Sequence, residues 1–303
     1  MTETVDFQTV ELGGWPGCIR LANEQIELVA TTDVGPRIIR LSFLGGRNLF
    51  KTFAETLGQT GGDEWHSYGG HRLWHAPEVM PRTYAPDNGP VEHSWDGATL
   101  TLRSEEPANG LAKELQITLS RTEPRVEVLH RITNRNAWSV ELAPWALSVM
   151  APGGRAVVPQ EEHFPHPDVL RPARPVVLWH FTDMSDPRWT WGRRYLQLRQ
   201  DPSATTKQKA GVRNTRGWSA YMLDGVAFIK RYAFAPDATY PDMGCNTELF
   251  TDPEMLEVET LGPLTRLAPG SAVDHVESWT LARVAPAVTD DELDRVLLPL
   301  LAG

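Results

Sequence analysis

The chain has 303 residues, a formal charge of −10, a pI near 5.4, eleven tryptophans, 24 glycines, 24 prolines and two cysteines. The acidic balance excludes nucleic acid or an anionic membrane as main partner, since both need a basic face to neutralise phosphate, and it points to a neutral or cationic small molecule. Two cysteines make neither a disulfide framework nor a thiolate zinc site, no run is long enough to span a bilayer, and MTETVDFQTV lacks the basic and apolar segments of a signal peptide. These features predict a reduced, cytoplasmic protein of one domain, 1–303.

From Val10 to about Phe50, short apolar runs alternate with glycine and asparagine turns and predict antiparallel strands. Thr52 to Glu64 is weakly patterned and reads as loop or short helix. In EWHSYGGHRLWHAPE, Gly69 and Gly70 permit a sharp turn. A strand then puts His71, Leu73 and His75 on one side and Arg72 and Trp74 on the other. Arg72 beside Trp74 offers a hydrogen-bonding fork next to a stacking ring, a clamp suited to a sugar, and Glu78 closes the stretch as a further polar contact. Val91 to Asn134 gives four strands about ten residues apart, the spacing of an all-β sandwich. SVELAPWALSVM extends the sheet, and QEEHFPHPD, with His163, is a loop rich in carboxylate and imidazole. WSAYML and VAFIKRYAF form a hairpin through Asp224-Gly225.

In YPDMGCNTELFTDPEMLEVETLGPL, Met255 to Thr260 reads as a strand. Leu256, Val258 and Thr260 share one face and Glu257, Glu259 and Leu261 the other, so two carboxylates look out together. Their bland reading is a pair of solvated glutamates. Lys207, Lys209, Lys230, Asp242 and Glu248 stand similarly between a charged site and solvated strand ends. VDHVESWTLARV is a last strand. The tail is the one clear helix, capped by Thr289, acidic in its first turn and striped by Leu293, Val296, Leu297 and Leu300, and it should pack on the outside of the sheet.

No HExxH, CxxC or EF-hand pattern predicts a metal, no GxSxG elbow a nucleophile, and no Walker or dinucleotide loop a nucleotide cofactor. The expectation is therefore no metal and no cofactor. What remains is acid–base chemistry by carboxylate and imidazole on a bound small molecule.

The strand pattern, the tract DVGPRIIRLSFLGGRNLF and above all MLEVETLGPLTRLAPGSAVDHVESWTL resemble the galactose mutarotase-like superfamily of aldose 1-epimerase relatives. The resemblance covers nearly the whole chain and implies a large antiparallel β-sandwich with sugar bound on a concave face. It implies Glu259 as the base that takes the anomeric hydroxyl proton. The family's acid histidine has no counterpart at its usual place, where Trp145 stands, so His71, His75 or His163 is the expected acid. Arg72, Trp74, Glu78, Lys209, Asn246 and Glu248 are the expected substrate contacts. The alternative is a non-catalytic sugar-binding protein in which Trp74, Trp145 and Trp218 stack on the ligand. Neither reading fixes the sugar or the oligomeric state.

Overall fold

A computed structural model describes residues 4–106 and 108–301. The alternating strands assemble into two large antiparallel sheets. In the first, the strands Asp6–Leu12, Trp15–Ala22, Ile26–Thr31, Arg37–Phe43, His71–Ala76, Val140–Met150, Leu256–Leu261, Thr247–Thr251, Gln208–Val212 and Val176–Leu178 follow one another across the sheet, and Thr265–Leu267 adds to Val140–Met150. The second runs Trp189–Trp191, Tyr195–Arg199, Arg155–Pro159, Trp218–Leu223, Val226–Tyr232, Ala272–Arg283, Arg125–Asn134, Leu111–Leu119, Thr99–Glu106 and Glu92–Trp95. An all-β sandwich follows, as the strand spacing predicts. Their inner faces supply one apolar core, with Leu73, Leu28 and Val258 from the first sheet against Leu115, Val128 and Phe228 from the second.

The helix Asp290–Leu301 lies on the outer face of the second sheet, where Leu293 and Leu297 cover Val157, Trp218 and Ile229. Its start is fixed as the sequence predicts: the Glu292 carboxylate accepts from the backbone N–H of Val288 and Thr289 at 3.0 Å each, and the Glu292 N–H reaches Thr289 Oγ1. This is a reciprocal cap on helix donors that have no partner in the first turn. The Asp224-Gly225 hairpin also forms, with both residues at positive φ. Among the described residues, no helix is long and apolar enough to cross a membrane.

The chain reaches the His71–Ala76 strand through Gly69 and Gly70, at φ +83° and +72°. A Cβ on Gly70 would stand 2.4 Å from the Ile38 carbonyl oxygen. Gly70→Ala is therefore expected to cost about 1–3 kcal/mol in urea unfolding, from left-handed strain plus the clash. A variant as stable as its parent would mean that the backbone can enter this strand by another route.

Between the sheets lies a polar island. Lys230 Nζ sits 2.7 Å from Glu277 Oε1, and both side chains are fully buried. His130 Nδ1 faces the His275 carbonyl at 2.9 Å, so it carries a hydrogen, and its Nε2 must then accept from His71 Nε2 at 2.6 Å. His71 Nδ1 in turn accepts from the Ser148 hydroxyl. Thr260 donates to Glu277, so His275 Nε2 donates to Thr260 at 2.7 Å. Three neutral imidazoles and one ion pair thus satisfy one another. The ligand atoms of His71, His130 and Glu277 lie within 4.8 Å of each other. Two nitrogens on one zinc ion would stand roughly 3.3 Å apart, given Zn–N bonds near 2.0–2.1 Å. The mutual hydrogen bond of the imidazoles is shorter than that, and the Lys230 ammonium already holds the place of the cation.

Candidate functional site

The outward face of the first sheet carries the charged cluster. Register aligns Arg72, Leu147, Glu259, Glu248 and Gly211 in one row across five strands. Trp74 lies opposite Trp145 on one side of that row, and Glu257, Phe250 and Lys209 line up on the other. These residues come from distant parts of the chain and share a face only because strand side chains alternate. Loops bring Trp65, Tyr84, Trp179 and Phe181 around them, and the whole encloses a cavity of about 500 Å3. Sites for small molecules are commonly this size and this aromatic.

Two ion-pair systems form the polar part. Arg72 Nη2 donates to Glu257 Oε1 at 3.1 Å while its guanidinium lies 4.4 Å from the Trp74 ring centre and 5.8 Å from that of Trp65. Its Nε and Nη1 are buried and have no hydrogen-bond partner among the described residues. Lys209 Nζ lies 2.9 Å from Glu248 Oε2 and 3.2 Å from Glu259 Oε2, held between the rings of Trp145 and Trp179 at 4.8 and 4.7 Å. The Trp145 indole N–H donates to the same Glu259 oxygen at 2.9 Å, and Glu259 Oε1 has no hydrogen-bond partner among the described residues.

Burial would push the Lys209 ammonium down, but Glu259 and Glu248 beside it overcome this and raise it above its ordinary value. Burial likewise raises Glu248 well above the carboxylate range and raises Glu257, in each case partly opposed by the neighbouring Lys209 or Arg72. Asp242 is raised by burial as well, and its carboxyl lies against Glu248. Burial and like-charge crowding thus raise the proton affinity of Glu248, Glu257 and Asp242 against the pull of two cations. A buried carboxylate whose proton affinity is raised is a stronger base toward a bound hydroxyl than a solvated one.

The cavity brings together Arg72, Trp74, Glu78, Trp145 and Lys209, with Glu78 accepting from the Tyr84 hydroxyl. Glu248 and Glu259 lie beneath its floor and are fully buried, and Glu257, 8 % exposed, is the strand carboxylate that lines it. The bland reading of two solvated glutamates is therefore corrected.

The other expected residues lie elsewhere. His71 and His75 point between the sheets, because the alternation that turns Arg72 and Trp74 outward turns them inward with Leu73. Burial holds His71 well below the ordinary imidazole value and, with Lys113 and Arg82 nearby, holds His75 at about 3. Neither can reach a molecule in this cavity. His163 is exposed in a loop beside Trp218, bordering a separate hollow of about 680 Å3 on the second sheet. Trp218 is on that sheet, under the C-terminal helix. Asn246 is buried in a reciprocal amide pair, its Oδ1 accepting from Asn214 N and its Nδ2 donating to Asn214 O. Lys230 belongs to the inner island.

Sequence reasoning placed Glu257 on the correct face without giving it a role. It missed Trp65, Tyr84 and Trp179, which stand in weakly patterned loops and have no periodic signal.

No protein-family model and no curated protein matches this chain. Among solved structures, a galactose mutarotase-like protein from Lactobacillus casei superposes with a TM-score of 0.59 at 11% identity, over 88% of this chain and 100% of its own. The galactose 1-epimerase of Lactobacillus acidophilus gives 0.55 at 11% identity, over 93% of this chain and 99% of that one. A TPR-domain-containing protein from Parabacteroides distasonis gives 0.58 at 13% identity, over 89% of this chain but only 48% of its own length. The same architecture thus recurs inside a longer chain of another description, and at such identities it speaks for shape alone. By shape, this chain has the galactose mutarotase-like fold.

Proposed function

We propose that the cavity binds a sugar or sugar derivative and turns it over as an isomerase of the mutarotase or epimerase type. A carboxyl group of the Leu256–Leu261 strand supplies the proton chemistry. The observation that carries this reading is Glu257: a buried carboxyl, raised by its surroundings, that lines a tryptophan-walled cavity beside an arginine with two unpartnered nitrogens. Flat rings take the C–H faces of a pyranose, and the free donors of Arg72 take its hydroxyls. In such a reaction the ionised carboxylate removes the anomeric hydroxyl proton, the C1–O5 bond breaks as that proton is passed on to the ring oxygen, C1 turns, and the reverse transfers reclose the ring. Glu257 meets the substrate, while Glu259, the base expected from the resemblance, holds Lys209 in the floor.

The test is saturation transfer between anomers of a panel of free aldoses, with the parent protein, Glu257→Gln and Glu259→Gln. Acceleration by the parent, reduced by about 10²–10⁴-fold in Glu257→Gln, is expected. Loss in Glu259→Gln alone would return the base to Glu259, and no acceleration by the parent would sink the isomerase reading. One observation favours a non-catalytic sugar-binding protein instead: among the described residues no histidine lines the cavity, and Trp145 occupies its floor. Sugar binding without faster exchange is what that second reading requires.

A further inference from the structure

The charge in the cavity is unevenly matched. Glu257 neutralises Arg72, and Glu248 and Glu259 more than neutralise Lys209. At the far end, Phe250 packs with Phe53 and Met255, and there the wall carries Glu55, Asp252 and Glu254 against one lining lysine, Lys207. Lys51, 3.9 Å from Glu254, approaches from behind. Three carboxylates therefore face two ammonium groups at this end. Glu55 has no side-chain partner among the described residues, and Asp252 uses one oxygen, Oδ1, for the backbone N–H groups of Glu254 and Met255.

The rings around the cavity have a matching habit. Lys51 lies 4.9 Å from the Phe53 ring centre, Lys207 5.9 Å from that of Phe250, and Arg72 and Lys209 sit over tryptophans. Each of these cations rests on an aromatic face, the arrangement by which proteins hold ammonium groups. Phe181 stands edge-on to Phe250 at 6.4 Å, lines the same end, and carries no cation among the described residues. An aromatic face without a cation, in a cavity wall where carboxylates outnumber lysines, is a place for one more positive charge.

We infer that the cavity selects a positively charged sugar, an amino sugar bearing a protonated amine, and disfavours sugar acids and sugar phosphates. The amine would lie at the Phe181–Phe250 end, where Glu55, Asp252 and Glu254 supply the counter-charge, with the pyranose ring toward Trp74 and Trp145. The inference rests on the sugar-binding reading above and adds to it the charge of the ligand. It also sets aside the acidic or phosphorylated sugar that Lys207 and Lys209 suggest when read singly, because Lys209 is already held by Glu248 and Glu259 and Lys207 stands in a wall where carboxylates outnumber lysines.

The experiment is calorimetric titration of the full-length protein at pH 6.5 and low salt with D-glucosamine, D-glucose, D-glucuronate and D-glucose 6-phosphate, repeated with the galacto series. Amino sugars are expected to bind on the order of tenfold more tightly than their neutral parents, the difference shrinking in salt, and the acidic sugars more weakly than the parents. Glu55→Gln combined with Glu254→Gln should reduce the glucosamine affinity by about fivefold and the glucose affinity by less. Equal or tighter binding of the neutral or acidic sugars overturns the charge preference and leaves the sugar site standing. Failure of every sugar to bind, whatever its charge, removes the sugar-binding reading and this inference with it.

Discussion

Lys209→Met is expected to lower the stability of the protein by about 3–5 kcal/mol near neutral pH, far more than the loss of a surface lysine would. The methionine fills similar volume between Trp145 and Trp179, so packing is largely kept. What disappears is the ammonium that faces Glu248 and Glu259, both fully buried. Uncompensated carboxylates in the dry floor of the cavity must then take up protons, and Glu248, already raised by burial, is pushed further. A carboxyl raised in the folded state stays protonated where the unfolded chain has ionised. The variant should therefore lose stability as the pH rises above the ordinary carboxylate range, and recover part of it in mild acid. Urea unfolding of both proteins at pH 5.5 and pH 8, with Glu248→Gln added to the variant as a partial rescue, measures this. A loss below about 1 kcal/mol that is the same at both pH values would show that Lys209 is not the counter-ion of the pair.

Acid should destabilise the parent protein from just below neutrality through its buried histidines, offset in part by Glu248, Glu257 and Asp242, whose raised carboxyls gain stability as the pH falls. His71, His130, His275 and His75 are buried and neutral, and burial holds each below its ordinary value, to about 3 for His75 and His275. As the pH falls through 6.5, the unfolded chain binds protons at these four positions that the folded chain refuses. Stability then falls by roughly 1.4 kcal/mol per pH unit for each such histidine, down to its folded value. Burial alone would raise Glu277, but Lys230 beside it holds it far below the carboxylate range, so its contribution is present above about pH 4.5 and is lost below it. The expected curve therefore bends first near pH 6.5 and again near 4.5. Replacing His75 by Gln should flatten the first limb by about one histidine's slope, since the glutamine cannot titrate. A first limb whose slope is unchanged by the His75 replacement would contradict the neutral assignment of that histidine.

Much of this molecule is readable as text because strands have a period of two. HRLWHA separates Arg72 and Trp74 from His71 and His75, and LEVETL separates Glu257 and Glu259 from Val258 and Thr260, with no structure in hand. The strings do not say which side is the interior. HRLWHA carries polar and aromatic residues on both faces, so the alternation groups residues by face without saying that His71 and His75, two of the three histidines offered as acid, turn toward the other sheet. Nor does a string show that Lys209 and Glu248, each unremarkable alone, lie beside Glu259, since that follows from the order of strands. The same limit separates Trp145 from Trp218: both sit in alternating strands, and only topology sends one to the cavity and the other beneath the helix. Asn246 has a purely local fate, exchanging backbone and amide hydrogen bonds with Asn214, for which its sequence neighbours give no cue.

The strand Leu256–Leu261 is a party wall. Glu257 and Glu259 belong to the outer cavity, whereas the Val258 carbonyl accepts from Lys230 and the Thr260 hydroxyl donates to Glu277 on the other side. Lys230 and Glu259 sense one another's charge across a single sheet thickness. A substitution made on either side is consequently heard on the other: variants of the inner island would shift proton affinities in the cavity without touching a ligand, and six residues would tie the protein's acid tolerance to its chemistry.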